Sequence, residues 1–149
     1  MKKIFVVIIM VTTGLFASAQ TYSGKRVLSQ QEKLNDEYCS GLFKLSEGSI
    51  LDLTENQTVQ GYLNILDWLD GRVAGLRVYT SWGATKIPVI RGSVAKLYVD
   101  EIPVDPSYIS SLSVNDIAMI KVIKGPSAGI LGASGVIAIY TYKDEEEEE

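Results

Sequence analysis

The residues able to do chemistry in this chain are few. It contains no histidine and a single cysteine, Cys39. Without imidazole there is no Ser-His-Asp or Cys-His catalysis and no zinc site of the kind that depends on it. Ser127 therefore has no base available. Asp100, Glu101 and Asp105 cluster around Pro103, which invites comparison with a paired-acid hydrolase; acids in such a loop read instead as solvated charges. The glycine-rich run Gly125-Pro-Ser-Ala-Gly-Ile-Leu-Gly-Ala-Ser-Gly135 lacks the Gly-Lys-Ser/Thr of a phosphate loop and the G-x-G-x-x-G of a dinucleotide site. It reads as tight turns joining two strands. No catalytic constellation, cofactor site or metal site is expected. Cys39 has no partner for an internal disulfide and reads as a small buried residue.

The elements that would position these residues follow from spacing and punctuation. Ser29-Gln-Gln-Glu32 is a capping-box pattern, and Leu34, Tyr38 and Leu42 continue at helical spacing, so a short helix is expected over about 29–40. Tyr62, Ile65, Leu66, Leu69 and Val73 form one apolar stripe, which predicts the main helix, with Asn56 or Thr58 as its cap. Leu76–Thr80 and Ile87–Arg91 read as a hairpin, with Pro88 suggesting an edge strand. Lys96–Asp100 is a third strand. Asp105-Pro106 starts a short helix through about Leu112. Ile117–Lys124 and Val136–Tyr142 are rich in β-branched residues and read as strands, with one helical turn at Ser127–Leu131 between them. The fold class expected is α+β: a small mixed β-sheet with one main helix and short helical turns.

Composition bounds the rest. The chain has 149 residues and 46% hydrophobic content, which suits one domain with a real core. Met1-Lys2-Lys3, the apolar run Ile4–Val11 and Ala17-Ser-Ala19 before Gln20 have the order of a secretory signal. Cleavage between Ala19 and Gln20 is expected, with residues 1–19 removed. The run is shorter than the ~20 residues that span a bilayer, and no later stretch is apolar enough for a transmembrane helix. Setting aside Lys2, Lys3 and the acids of residues 144–149, bases and acids balance over residues 20–143. No basic surface for nucleic acid is left. Residues 144–149 read as an acidic, solvated tail, and residues 20–49 as a polar segment of unclear role.

The order of five motifs carries a resemblance. Ile65-Leu-Asp-Trp-Leu-Asp-Gly-Arg-Val-Ala-Gly-Leu76 is followed by Ile90-Arg91-Gly92 and then by Leu97-Tyr-Val-Asp-Glu-Ile-Pro103. Ile117-Ala-Met-Ile-Lys-Val-Ile-Lys-Gly-Pro-Ser-Ala128 and Gly132-Ala-Ser-Gly-Val-Ile-Ala-Ile-Tyr-Thr141 complete the set. Over about residues 50–143 the chain resembles the plug domain of TonB-dependent outer-membrane receptors, in the style of the SusC/RagA-like proteins of Bacteroidota. The resemblance implies a globule that fills a large β-barrel, with Arg91, Gly92 and Arg72 facing a partner. The family's usual Asp-Gly is Asp100-Glu101 here, so that turn must either avoid positive φ or strain the glutamate. No clear TonB box is visible between Gln20 and Leu51. The sequence ends where a barrel would begin, which implies a stand-alone, non-catalytic module of the periplasm or the periplasmic face of the outer membrane. Its partner would be an outer-membrane β-barrel or another envelope protein. The competing readings are a secreted or surface ligand-binding domain derived from a plug, and a remnant of a disrupted receptor gene.

Overall fold

A computed structural model describes residues 28–143. The signal-peptide reading with its Ala19–Gln20 cleavage site, and the acidic tail, lie outside the described residues. Two helices come first, α1 (Gln30–Tyr38) and α2 (Gly41–Leu45). Ser29 and Glu32 form the reciprocal capping box that their spacing predicts. Strand β1 (Gly48–Asp52) follows, then a 3₁₀ turn (Gln57–Gly61), helix α3 (Ile65–Leu69) and strands β2 (Leu76–Thr80), β3 (Lys86–Ile90) and β4 (Ser93–Val94). The chain continues through β5 (Lys96–Val99), β6 (Ile102–Val104), α4 (Pro106–Ser111), a 3₁₀ turn (Val114–Asp116), β7 (Ile117–Lys124), α5 (Pro126–Ile130) and β8 (Gly135–Thr141).

The strands form two sheets. A five-stranded sheet has the order β1-β7-β8-β5-β6, and a three-stranded sheet the order β2-β3-β4. In the larger sheet β5 and β8 are parallel, while β1–β7, β7–β8 and β5–β6 are antiparallel. The α+β class and mixed sheet are as expected.

Alternation along the central strands gives the large sheet two apolar faces. On one face Ile120, Val122, Ile137, Ile139, Leu97 and Val99 pack against Ile65, Leu66, Trp68, Leu69, Ile90 and Ile109. On the other, Met119, Ile123, Val136, Ala138 and Tyr140 pack against Leu34, Cys39, Phe43 and Ala128. Cys39 is buried, as its composition suggested.

Two local expectations are corrected. The main helix has five residues, not the dozen the stripe suggested. Asn64 ends the approach by accepting from the Leu66 N–H at 2.9 Å, and Asp70 leaves the helix with ψ 125°. The stripe residues Ile65, Leu66, Leu69 and Val73 are nonetheless buried, and Tyr62 partly so. A five-residue helix cannot hold itself in water; burial of Ile65, Leu66 and Leu69, each worth roughly 1.5–3 kcal/mol, holds it. Pro88 lies on the middle strand of the small sheet rather than at an edge. It is tolerated because its pair with Val78 exchanges no hydrogen bonds: the Val78 N–H goes to Asp70 Oδ1 at 3.2 Å, and the Pro88 carbonyl accepts from Ala95 at 2.9 Å.

Candidate functional site: the basic end of the sheet

Strand pairing brings three cations to one end of the molecule. The register Lys124↔Gly135 and Lys96↔Val136 puts the end of β7 beside the starts of β8 and β5. Strand β3 ends at the same place, since a Cβ added to Gly135 would come within 2.7 Å of the Ile90 Cβ. Only glycine permits that approach. The next residue is Arg91.

Arg91 and Gly92 form the two-residue turn between β3 and β4, with Ile90 opposite Ser93. Their φ angles are 51° and 87°, the primed hairpin geometry that matches strand twist. Glycine suits the second position; arginine at the first is strained. The Arg91 N–H donates to the Gly75 carbonyl at 3.0 Å. Its side chain lies across two glycines: Cγ would be 3.6 Å from a Cβ on Gly75, and Nη1 3.5 Å from one on Gly125. The residue is exposed, and among the described residues no carboxylate forms an ion pair with it.

Lys124 and Lys96 stand on either side. Lys124 Nζ donates to the Ala74 carbonyl at 3.1 Å, and Lys96 Nζ to the Leu131 carbonyl at 3.4 Å. Both ammonium groups thus lean on loop backbone, without an ion pair among the described residues. Glu47, just before the Gly48↔Ile123 pair of β1 and β7, forms no ion pair with Lys124 among the described residues. Three cations gathered where the ends of β5 and β7 meet the β3–β4 turn have the charge to hold carboxylates, with Arg91 able to bind one bidentately.

Arg72 stands apart from this group in its work. Its Nη1 donates to the Trp68 carbonyl at 2.5 Å, and its guanidinium stacks 4.7 Å from the Trp68 ring and 5.5 Å from that of Tyr62. It closes the end of α3 within its own loop. Sequence reasoning missed Lys96 and Lys124 as neighbours of Arg91. The signal lay in their register opposite the start of β8, which is a matter of pairing and not of spacing.

The opposite end of the sheet is acidic. Asp100 and Glu101 form the two-residue turn between β5 and β6, with φ of 47° and 68°. The turn takes the strained alternative. Asp100 is exposed, as a solvated acid is expected to be, and Glu101 half-buried, but both also accept hydrogen bonds within the fold. Asp100 accepts from the Thr141 N–H at 2.9 Å and from its hydroxyl at 2.8 Å. Glu101 accepts from the Ser40 N–H, the Ser40 hydroxyl and, at 3.3 Å, the Tyr140 hydroxyl. Asp105 precedes α4 without a side-chain capping bond. Among the described residues no group of three or more His, Cys, Asp or Glu side chains could hold a metal ion, and no helix is long and apolar enough to cross a membrane.

Comparison with known proteins agrees with this architecture. The family model described as the TonB-dependent Receptor Plug Domain matches residues 48–139. No curated protein matches. Among solved structures, the RagAB peptide importer in its open-open state is 26% identical with a TM-score of 0.55, over 70% of this chain and 13% of that one. A structure of the RagAB peptide transporter is also 26% identical, with a TM-score of 0.54; the overlap is 69% of this chain and 13% of that one. The siderophore receptor PirA from Acinetobacter baumannii shares the fold at 20% identity and TM-score 0.52, over 78% of this chain and 19% of that one. The chain therefore spans less than a fifth of the length of each of these structures.

Proposed function

The chain belongs to the TonB-dependent receptor plug domain family, and on that premise we propose that it is a non-catalytic plug module of the bacterial envelope that binds a β-barrel wall through its Arg91 end. The observation that carries this reading is the exposed Arg91, unpaired among the described residues and held on the Arg91-Gly92 turn between Lys96 and Lys124. A strained backbone that presents a cation with no carboxylate partner among the described residues serves stability poorly. Such strain persists where it supports binding. A wall strand carrying Asp or Glu supplies the missing charges.

The same chain covers both faces of its large sheet. That supports action in trans, as a folded body that docks on a barrel or another envelope protein. It works at the periplasmic side of the outer membrane, related to nutrient uptake through its family and not through chemistry of its own.

A photo-crosslinking residue placed at Ser93, beside the turn, tests this in cells that export the protein. The expected result is a crosslink to a strand peptide of an outer-membrane barrel, with none from the same residue at Ser107 on α4. Equal capture from both positions, or no barrel peptide from Ser93, contradicts the reading.

A further inference from the structure

Charge is sorted along the large sheet. Strand β5 runs from Lys96 to the turn that begins at Asp100, and β7 runs the opposite way, from Asp116 just before it to Lys124 at its end. The bases therefore gather with Arg91 at one end. The acids gather at the other, where Asp52 closes β1 and Glu101 completes the β5–β6 turn. Two acids break the pattern, Glu47 before the Gly48↔Ile123 pair and Asp105 after the Leu97↔Val104 pair. Among the described residues neither forms an ion pair with Arg91, Lys96 or Lys124. Lys143 stands at the acidic end, its Nζ 5.3 Å from the Tyr38 ring.

The sequence past Lys143 carries six consecutive acids, Asp144 to Glu149. They leave the sheet at the acidic end. The seven residues of β8, Gly135–Thr141, separate that end from the basic one, which is about 20 Å at ~3.3 Å per residue. Lys143 lies two residues further on. Six residues pulled straight span about 20–22 Å. Within one molecule, only the last carboxylates of the run reach the level of Lys96, Lys124 and Arg91, and only with the run fully extended. The run of a second copy meets no such limit.

We propose that residues 144–149 of one copy dock on the Arg91, Lys96 and Lys124 end of another, so that the chain associates head to tail. The proposal rests on the reading of that end as a carboxylate-binding surface and adds its regulation: an end filled by a neighbour's acids is closed to a barrel wall until the wall displaces them. Arg91 takes one carboxylate in a two-pronged bond. Lys96 and Lys124 each donate one hydrogen bond to a loop carbonyl and have donors left for others. The contact joins two different surfaces, so every added copy brings a free basic end or a free acidic run, and growth does not stop at two. Exposed ion pairs are weak singly and screened by salt, so several must form together at low ionic strength.

Sedimentation velocity of the exported chain tests this with no barrel present, so its outcome is independent of the Ser93 crosslink. At about 10 mM ionic strength, where the Debye length is ~30 Å, the average mass is expected to rise with concentration past that of a dimer; at about 1 M, where it is ~3 Å, the protein should be monomeric. Two variants each break one side of the contact. Arg91→Glu spoils the basic end and keeps the acidic run. Asp144→Asn combined with Glu145→Gln, Glu146→Gln, Glu147→Gln, Glu148→Gln and Glu149→Gln neutralises the run and keeps the basic end. Each alone should associate at least tenfold more weakly than wild type, and their equimolar mixture should form a heterodimer that grows no further. A wild type that stays monomeric at low salt overturns the proposal, as does a neutralised run that associates like wild type or a mixture that forms no heterodimer. Head-to-tail association without a barrel crosslink from Ser93 supports the contact between copies and removes the barrel; a barrel crosslink from a chain that stays monomeric does the reverse.

Discussion

Gly135 and Ile90 stand closer than any side chain at position 135 would allow: a Cβ there would lie 2.7 Å from the Ile90 Cβ and 2.9 Å from two further Ile90 carbons. This contact couples the start of β8 to the end of β3 and so fixes where Arg91 leaves the small sheet. Gly135→Ala should cost about 1–3 kcal/mol, the range for forcing extra volume into a packed site, as measured by urea melts. Unchanged stability would mean that the two sheets are not held in this relation.

Arg91 itself separates backbone strain from charge. Arg91→Gly should stabilise the domain by about 1 kcal/mol, because φ of 51° suits glycine. Arg91→Ala should leave stability within about ±0.5 kcal/mol, since the side chain is exposed and unpaired among the described residues. Denaturant melts of the three proteins decide this. A large loss in Arg91→Ala would show that the guanidinium serves the fold.

Asn64 is a buried cap with two jobs. Its Oδ1 accepts from the Leu66 N–H at 2.9 Å and its Nδ2 donates to Ser110 Oγ at 3.2 Å. Asn64→Ala should therefore cost about 1–2 kcal/mol, whereas Asn56→Ala, at the half-buried cap of the first 3₁₀ turn, should cost less. Thermal melts of both variants give the comparison, and equal losses would count against it.

Much of the fold was legible because its signals are local. The Ser29–Glu32 capping box, Pro106 at the start of α4 and the β-branched runs of β7 and β8 each act within a few residues. The apolar stripe through Val73 misled on helix length, since turns after Asp70 bury the same residues that a longer helix would. Glu101 was misread because its partner Ser40 lies 61 residues away. The parallel pairing of β5 with β8, which gathers Lys96 and Lys124 around Arg91, is likewise non-local. Lys121 sat in plain view as the polar member of the Met119, Lys121, Ile123 face, yet only the placement of α1 and α2 shows that it is buried.

Lys121 predicts a pH dependence of known sign. Burial lowers its folded-state pKa below the ordinary 10.5, so the unfolded chain binds more protons between the two values. Stability from this group therefore rises with pH in that window. Cys39 and Glu101 face Lys121 and favour its charged form, while burial raises the Cys39 thiol. The difference between wild type and Lys121→Met, followed as pH rises toward the ordinary 10.5, isolates the lysine. The wild type should gain relative to the variant as pH rises. A constant difference would mean that Lys121 titrates normally.

The binding of the Arg91 end to a barrel wall is tested most directly by charge exchange across the interface. The barrel protein crosslinked from Ser93 is purified, and its affinity for the chain is measured by calorimetry for wild type and Arg91→Glu, against the wild-type wall and a wall whose contacting acid is changed to lysine. The account predicts that Arg91→Glu weakens binding at least tenfold and that the reversed wall restores it. Equal affinity of wild type and Arg91→Glu for the wild-type wall would contradict it.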